Sequence, residues 1–296
     1  MWTRPQQSAE HSLLRSRHPC SFPHLRPIEQ IKMILHEFRI PLHMTTDEFQ
    51  IAELYMTLAD TVQVLKNEPY DNRGGQLGEL SSISQQPIPR THGQYTVKLY
   101  SLGNVPAILR AFLPQGSLTL VEETWSAFPH STSYLTSTFF AKSKFVVTCD
   151  SVHLPGYCAH ENALSLTKDE LKQRTVDVIH VHRPHPRPHR RLDPLQDPAT
   201  YVCTKTGRGP LQEGWETTQT PAMTVYKVMR IRFDSALLRH KMEDTIRDEL
   251  HTELYVAMRK LQCMSHRWHG LSMADIRILE AVFEYKRGRA SSAASR

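Results

Sequence analysis

The sequence predicts an α+β fold in which long helices pack on a curved, mostly antiparallel β-sheet. Two observations point to this class. Segments that alternate apolar and polar residues, separated by turn residues, occupy most of the chain between residues 33 and 233. After residue 238 the apolar residues instead recur with the period of a helix. Strands followed by long helices are typical of a single α+β domain.

The first elements are predicted to be a strand, a helix and a second strand. Residues 33–42, MILHEFRIPL, alternate like a half-buried strand. Thr46 precedes an acidic first turn and a helical repeat of apolar residues, which predicts a helix over 47–60. Residues 62–70 form another short strand. The polar stretch 71–92 is long for a compact domain, which predicts a loop that is either functional or disordered.

The central part of the chain is predicted to be rich in strands. Their predicted ranges are 93–102, 118–125, 134–140, 144–154, 177–182 and 222–233. A short helix over 105–114 interrupts them, since a proline lies near each of its ends.

The C-terminal part predicts two helices. One helical face of the first carries large apolar side chains at Leu238, Met242, Ile246, Leu250, Leu254 and Leu261. In the second, Ser272 and Asp275 have the spacing of a capping box, and the pattern ends near residue 287. Residues 288–296 are predicted to be a basic, disordered tail.

Composition limits the class of protein. The 296 residues are 40% hydrophobic and 22% charged, with a net charge of +6, and the apolar runs are only long enough for strands. A basic chain can bind anionic lipid or nucleic acid, but zinc-finger spacing and RNA-binding aromatic motifs are absent from the sequence, so no nucleic-acid partner is expected. Five widely spaced cysteines suggest a reducing compartment. Residues 1–32 are interpreted as a disordered extension or an alternative start before Met33.

The sequence lacks the common motifs for catalysis or for a bound cofactor. The protein is therefore not expected to be an enzyme or to need a cofactor. Residues 205–211, KTGRGPL, look like a phosphate loop, but the lysine comes first and Pro210 removes an N–H, which favours a turn. His180 and His182 would share a face of the predicted strand and could bind zinc with a third ligand. His185 and His189 lie among prolines and arginines without a carboxylate, so we predict a solvated basic loop and no metal.

A series of short blocks resembles the phosphatidylinositol transfer protein family, in the family's order, over residues 33–285. These blocks are MILHEFRIPLHMTTDEFQIAELYM, NEPY, GQYTVKLY, VPAILRAFLPQGSL, TWSAFPH, KTGRGPLQEGW, YKVMRIRF and GLSMADIRILE. The chain looks like a divergent member, either of the retinal-degeneration-B-like branch or of the branch of small transfer proteins.

The resemblance implies a START-like fold, over residues 33–287, whose sheet and helices enclose an apolar cavity for one phospholipid. Relative to the family, residues 71–92 look like an inserted flexible loop. Such a protein would be a cytoplasmic monomer that contacts membranes transiently and transfers phosphatidylinositol between them, with phosphatidylcholine or phosphatidic acid as exchange cargo. Burying acyl chains is favourable by about 0.8 kcal/mol per CH₂. An alternative is a lipid-sensing or adaptor domain that has lost efficient transfer.

The resemblance also implies which residues contact the lipid. The expected inositol contacts are Thr96, Lys98, Ser126 and Glu280, and the expected phosphate contacts are Glu53, Ser133, Ser151 and Lys227. Two of these depart from the family pattern, because Ser126 stands where the family has asparagine and Glu53 where it has glutamine. A carboxylate at Glu53 would have to be protonated or turned away from a bound phosphate.

Membrane docking is expected to differ from that of the small transfer proteins. Their paired tryptophans correspond here to Ser235 and Ala236, so insertion of aromatic side chains would be weak. Electrostatic docking is expected instead from the arginines at positions Arg183, Arg187, Arg190 and Arg191.

Overall fold

The computed structural model describes residues 33–59, 63–101, 119–185, 196–235 and 238–294. Its strands are β1 (Ile34–Leu42), β2 (Gln63–Asp71), β3 (His92–Ser101), β4 (Thr119–Ala127), β5 (His130–Ser137), β6 (Phe145–Pro155), β7 (Thr175–Val178) and β8 (Met223–Phe233). Its α-helices are α1 (Thr46–Ala59), α2 (Lys168–Gln173), α3 (Trp215–Thr218), α4 (Arg239–Cys263), α5 (Ser265–Trp268) and α6 (Met273–Ala294).

The eight strands form one open sheet in the order β2-β3-β4-β5-β6-β8-β1-β7. Neighbouring strands are antiparallel except for β1 and β7, which pair in parallel. The α+β class predicted from the sequence is therefore confirmed. The predicted helix over 105–114 and the extension 1–32 lie outside the described residues.

One face of the sheet, called here the interior face, packs against α1 and α4. Phe38 and Met229 on the sheet share a buried core with Met258 and Leu261 on α4. The end of the sheet near Phe233 packs against the first turns of α4 in a second cluster. The apolar face predicted for α4 is the face that makes these contacts, because its helical spacing presents those side chains to the sheet.

β1 is buried on both faces, which corrects the half-buried strand expected from its alternation. Its charged residues, Glu37 and Arg39, point away from the interior face. Glu37 accepts a hydrogen bond from Arg39 Nε at 2.6 Å and also pairs with Arg174. Glu37 is only 2% exposed. Glu37 and Arg39 therefore belong to a buried ion-pair network, because β1 lies between β8 and β7 and a second layer of the protein covers its outer face.

Three boundaries differ by four residues or more from those predicted. β5 starts at His130 instead of residue 134, since the strand pairs with β4 from the turn onward. β7 ends at Val178, four residues before the predicted end, because its pairing with β1 stops at the Arg39–Val178 pair and a turn follows. Helix α6 continues to Ala294 instead of giving way to a disordered tail at residue 288; its alanine-rich end favours helix.

The segment 71–92, predicted to be an inserted flexible loop, packs partly against β4. Leu80 and Pro87 form an isolated bridge, and Ser81 Oγ donates to the Glu123 carboxylate at 2.6 Å. Ser84 also donates its backbone N–H to Glu123 at 3.2 Å. These contacts lie on the outer face of the sheet, opposite the interior face.

The KTGRGPL segment is a turn, as predicted, and it holds two helices in place. Arg208 Nη1 contacts both carboxylate oxygens of Glu48 in the first turn of α1, at 2.7 and 2.9 Å. Lys205 Nζ donates to the carbonyl of His269, just before α6. Gly209 has a φ of +98°, and a Cβ there would lie 2.2 Å from the Tyr201 carbonyl oxygen. The side-chain cations of Lys205 and Arg208 therefore bind groups of the protein itself.

Candidate functional site

The six candidate residues that lie on strands all project from the interior face of the sheet. Residues directly opposite one another on paired strands share a face. Gln94, Ser126, Ser131, Ser151 and Lys227 form one such row across β3, β4, β5, β6 and β8. Thr96 and Ser133 lie in the adjacent row, and Lys98 in the row after that. Sheet register thus places on one face side chains that are far apart in the chain.

A polar cluster joins Thr96 to Glu280 through Asn67. Thr96 Oγ1 donates to Asn67 Oδ1 at 3.1 Å, and Asn67 Nδ2 donates to Glu280 Oε1 at 3.3 Å. Gln94 Nε2 donates to the same Asn67 oxygen at 2.9 Å. Arg277 Nη1 completes the cluster with a 2.6 Å contact to Glu280 Oε2. Two expected inositol contacts are therefore neighbours, held between β2, β3 and α6.

Asn67 is a candidate site residue that sequence reasoning missed. It belongs to the quoted block NEPY, but nothing in that block indicates which partner the amide meets. Only the pairing of the strands identifies Asn67 as a site residue, because the register of β2 on β3 places it opposite Thr96.

Lys98 and Ser126, the other two expected inositol contacts, lie near this cluster without joining it. Lys98 is half-buried and opposite Glu122, whose carboxylate accepts a hydrogen bond from Tyr100 at 2.8 Å. Within the described ranges, Lys98 has no ion pair. Ser126 is opposite Gln94, which belongs to the cluster.

The expected phosphate contacts centre on Lys227. Its Nζ donates to Ser151 Oγ at 3.0 Å, and Ser151 is only 2% exposed. Among the residues that the structure describes, Lys227 contacts no carboxylate. Nearby, burial lowers the pKa of His153 to about 4, although Glu53 opposes the shift, so this imidazole is neutral at physiological pH. The ammonium of Lys227 is thus the cation of this group.

Glu53 and Ser133 lie at the edges of the phosphate group. Glu53 is half-buried on α1, and its charge and that of Lys227 act in opposite directions on the pKa of His153. This places Glu53 within electrostatic range of the group. Ser133 lies opposite Cys149, whose Sγ is 3.6 Å from Ser151 Oγ. The roles assigned to both residues stay predictions.

The residues expected to dock membranes are only partly described. Arg183 is exposed, but its guanidinium pairs with Glu213, with Nε and Oε2 3.0 Å apart. A cation neutralised in this way attracts an anionic surface less strongly. Ser235 accepts a hydrogen bond from the Leu238 N–H at 3.3 Å at the start of α4. Ala236, Arg187, Arg190, Arg191 and His189 lie outside the described residues.

Within the described residues, no helix has both the length and the hydrophobicity required to cross a bilayer.

Comparisons with known proteins identify the family of this chain. A family model described as "Phosphatidylinositol transfer protein" matches residues 33–284. The chain belongs to the phosphatidylinositol transfer protein family. The resemblance noted in the sequence is thereby confirmed, and with it the START-like, lipid-transfer class of fold.

Several members of the family are similar to this chain over the same region. Phosphatidylinositol transfer protein 2 of Dictyostelium discoideum is 34% identical over 260 residues, which cover 84% of this chain and 93% of that protein. Human membrane-associated phosphatidylinositol transfer protein 2 is 33% identical over 257 residues, again 84% of this chain but 18% of that protein. Protein retinal degeneration B of Drosophila melanogaster is 32% identical over 290 residues, 84% of this chain and 20% of that protein.

Proposed function

We propose that this protein binds one phosphatidylinositol molecule and transfers it between membranes without changing it covalently. Membership of the family supports the substrate class and the activity. The observation in the structure that carries the proposal is the pair of lysines on the interior face, Lys98 and Lys227. In the described part of the chain neither ammonium is paired with a carboxylate. Charges removed from water require compensation, and an anionic head group supplies it.

Lys227 and Ser151 are proposed to bind the lipid phosphate. The ammonium and the hydroxyl are already hydrogen-bonded to each other at 3.0 Å, so a phosphate oxygen can accept from both without a large rearrangement. Ser133 would add a second hydroxyl from the neighbouring row. Glu53 would remain turned away, because its charge would oppose the phosphate.

The Asn67, Thr96 and Glu280 cluster is proposed to bind the inositol ring with Lys98. Inositol hydroxyls are both donors and acceptors, and the cluster presents both amide and carboxylate groups. Ser126 has a shorter side chain than the family's asparagine, so a water molecule would complete its contact. Because Glu280 belongs to α6, the head group would link the last helix to the sheet.

The acyl chains would lie along apolar side chains of the interior face. Phosphatidylcholine or phosphatidic acid is the proposed exchange cargo, because each carries the phosphate but needs no inositol contacts. The proposal also includes a monomeric protein in the cytoplasm that contacts membranes transiently. Residues 33–287 would form the transfer domain.

Transfer of labelled lipids between vesicles tests the proposal. Glu280→Gln keeps the shape of the side chain but removes the charge that accepts inositol hydroxyls, and Lys98→Ala removes the cation. We expect each change to reduce phosphatidylinositol transfer at least about tenfold, the equivalent of one charged hydrogen bond, while phosphatidylcholine transfer is retained. Equal transfer of phosphatidylinositol by the variants and the wild type would show that the assigned inositol site is wrong.

The assay also separates transfer from the adaptor alternative. A lipid-sensing domain would retain bound phosphatidylinositol through purification, detectable by native mass spectrometry, but would not move it between vesicles. A transfer protein shows both the bound lipid and vesicle-to-vesicle exchange.

A further inference from the structure

Three potential metal ligands from separate parts of the chain lie together beside the β7 edge of the sheet. His180 and His182 follow β7, and Glu216 lies in α3. One ligand atom from each of the three side chains can be chosen so that all three atoms lie within 4.8 Å of one another. The two imidazole rings are 5.7 Å apart and nearly perpendicular, with an angle of 81° between their planes. The sequence predicted the two histidines as a pair on a strand, but the turn after β7 and the position of α3 bring in the carboxylate.

The polar atoms of this cluster are buried without hydrogen bonds. His182 is 4% exposed and Glu216 6% exposed, measured over their side chains. Among the described residues, His180 Nδ1, both ring nitrogens of His182 and Glu216 Oε1 have no hydrogen-bond partner. A buried polar atom left unpaired costs about 1–3 kcal/mol, so several of them at one place indicate a missing ligand.

One pair of ligand atoms has the separation expected for two ligands of a small divalent cation. His180 Nδ1 and Glu216 Oε1 are 3.3 Å apart, but they are not aligned for a hydrogen bond. Ligand distances of about 2.0–2.1 Å from tetrahedral zinc place two ligand atoms about 3.3–3.4 Å apart.

We propose that His180, His182 and Glu216 bind one divalent transition-metal ion of the zinc class. Two imidazoles and one carboxylate are a ligand set that zinc accepts, with a fourth position open to water. Glu213 lies beside the site, with its Oε2 3.6 Å from His182 Nε2, but its carboxylate is held by Arg183. The ion would connect the turn after β7 to α3. The site is separate from the proposed phospholipid site and does not depend on it.

Metal titration of the full-length chain tests the proposal. The purified protein is stripped with a chelator and titrated with Zn²⁺, and bound metal is measured by elemental mass spectrometry. Thermal unfolding is recorded with and without the ion. We expect one tightly bound equivalent and a higher unfolding temperature when Zn²⁺ is present. Co²⁺ in place of Zn²⁺ should give the visible absorption of a four-coordinate site with nitrogen and oxygen ligands.

Two variants and a control identify the ligands. Glu216→Gln and His182→Ala are expected to weaken Zn²⁺ binding at least about tenfold and to remove the stabilisation by the ion. Glu216→Gln preserves side-chain shape, so its unfolding temperature in chelator reports whether the variant is folded. The control is His240→Ala, which removes an exposed histidine outside the cluster and should leave one equivalent of Zn²⁺ bound. Failure of the wild type to bind Zn²⁺ at micromolar concentration, or binding by Glu216→Gln equal to wild type, would overturn the proposal.

Discussion

Replacing Lys227 with methionine is expected to weaken the binding of every phospholipid that the protein carries. The ammonium is the cation of the proposed phosphate group, and its one hydrogen bond in the described structure is to Ser151 Oγ at 3.0 Å. Methionine has a similar length and fills the same space, but it cannot neutralise a phosphate. The variant should therefore affect the phosphate contact common to all the lipids, unlike Glu280→Gln, which should affect only inositol lipids.

The expected magnitude follows from the environment of the lysine. Lys227 is half-buried, so the effective dielectric constant around it lies well below that of water. A hydrogen bond to a charged group contributes about 1.5–3 kcal/mol after the loss of solvation is included. Loss of about 2 kcal/mol corresponds to roughly a 30-fold weaker affinity for phosphatidylinositol and for phosphatidylcholine alike. The stability of the lipid-free protein should stay the same or rise, because the cost of burying an ammonium disappears.

Vesicle transfer of both lipids, with thermal unfolding of the lipid-free protein, measures the two effects. Lys144→Met is the matched control, because Lys144 is an exposed lysine whose Nζ lies 3.2 Å from Asp234. That variant should transfer both lipids like the wild type, since an exposed pair contributes little.

Two results would refute the reasoning about Lys227. Normal transfer of both lipids by Lys227→Met would show that the phosphate binds elsewhere. Loss of phosphatidylinositol transfer alone would show that the lysine contacts the inositol ring and has been assigned to the wrong part of the head group.

Two further predictions concern the fold around the site. Burial raises the pKa of Glu48, but hydrogen bonds from Arg208 and the Thr45 N–H outweigh this and hold it below its usual range. Arg208→Met should therefore lower the free energy of unfolding by about 2 kcal/mol near pH 7. The difference from wild type should shrink as the pH falls through the lowered pKa of Glu48, because the protonated carboxyl no longer pairs with Arg208. A difference in thermal unfolding that persists unchanged at acid pH would contradict this. Gly93→Ala should lower the free energy of unfolding, measured with denaturant, by about 1–3 kcal/mol, because its Cβ would lie 2.0 Å from the Ser126 carbonyl oxygen. Gly74→Ala is the control and should leave stability unchanged, since no atom lies within 4 Å of the added Cβ.

Elements encoded by neighbouring residues could be predicted well from the sequence. The capping box of α6 is an example, since Ser272 and Asp275 exchange the hydrogen bonds that their spacing predicts, at 2.8 and 3.2 Å between side chain and backbone. The apolar face of α4 and the turn at KTGRGPL are further cases. In each, the pattern that identifies the element lies in residues close together in the chain, so local pattern is sufficient to predict it.

The sequence was less reliable where an element ends because of its partner. β7 stops at Val178 because the chain turns after it, although β1 continues to Leu42, and this limit could not be predicted from the residues of β7 themselves. The alternation of β1 predicts a half-buried strand, yet both faces are covered, since Glu37 pairs with Arg39 on the same strand and with the buried Arg174 far along the chain.

By itself, the sequence determined the fold class, the periodic elements, the family and the side chains available to bind a phospholipid. Only the tertiary structure decided which of those side chains meet. Sheet register placed Asn67 beside Thr96, and the packing of α6 brought Glu280 to the same amide. The turn after β7 and helix α3 placed Glu216 beside two histidines that the sequence had left without a carboxylate. Periodicity and propensity act over a few neighbouring residues, whereas contacts between distant residues depend on how strands align and helices pack.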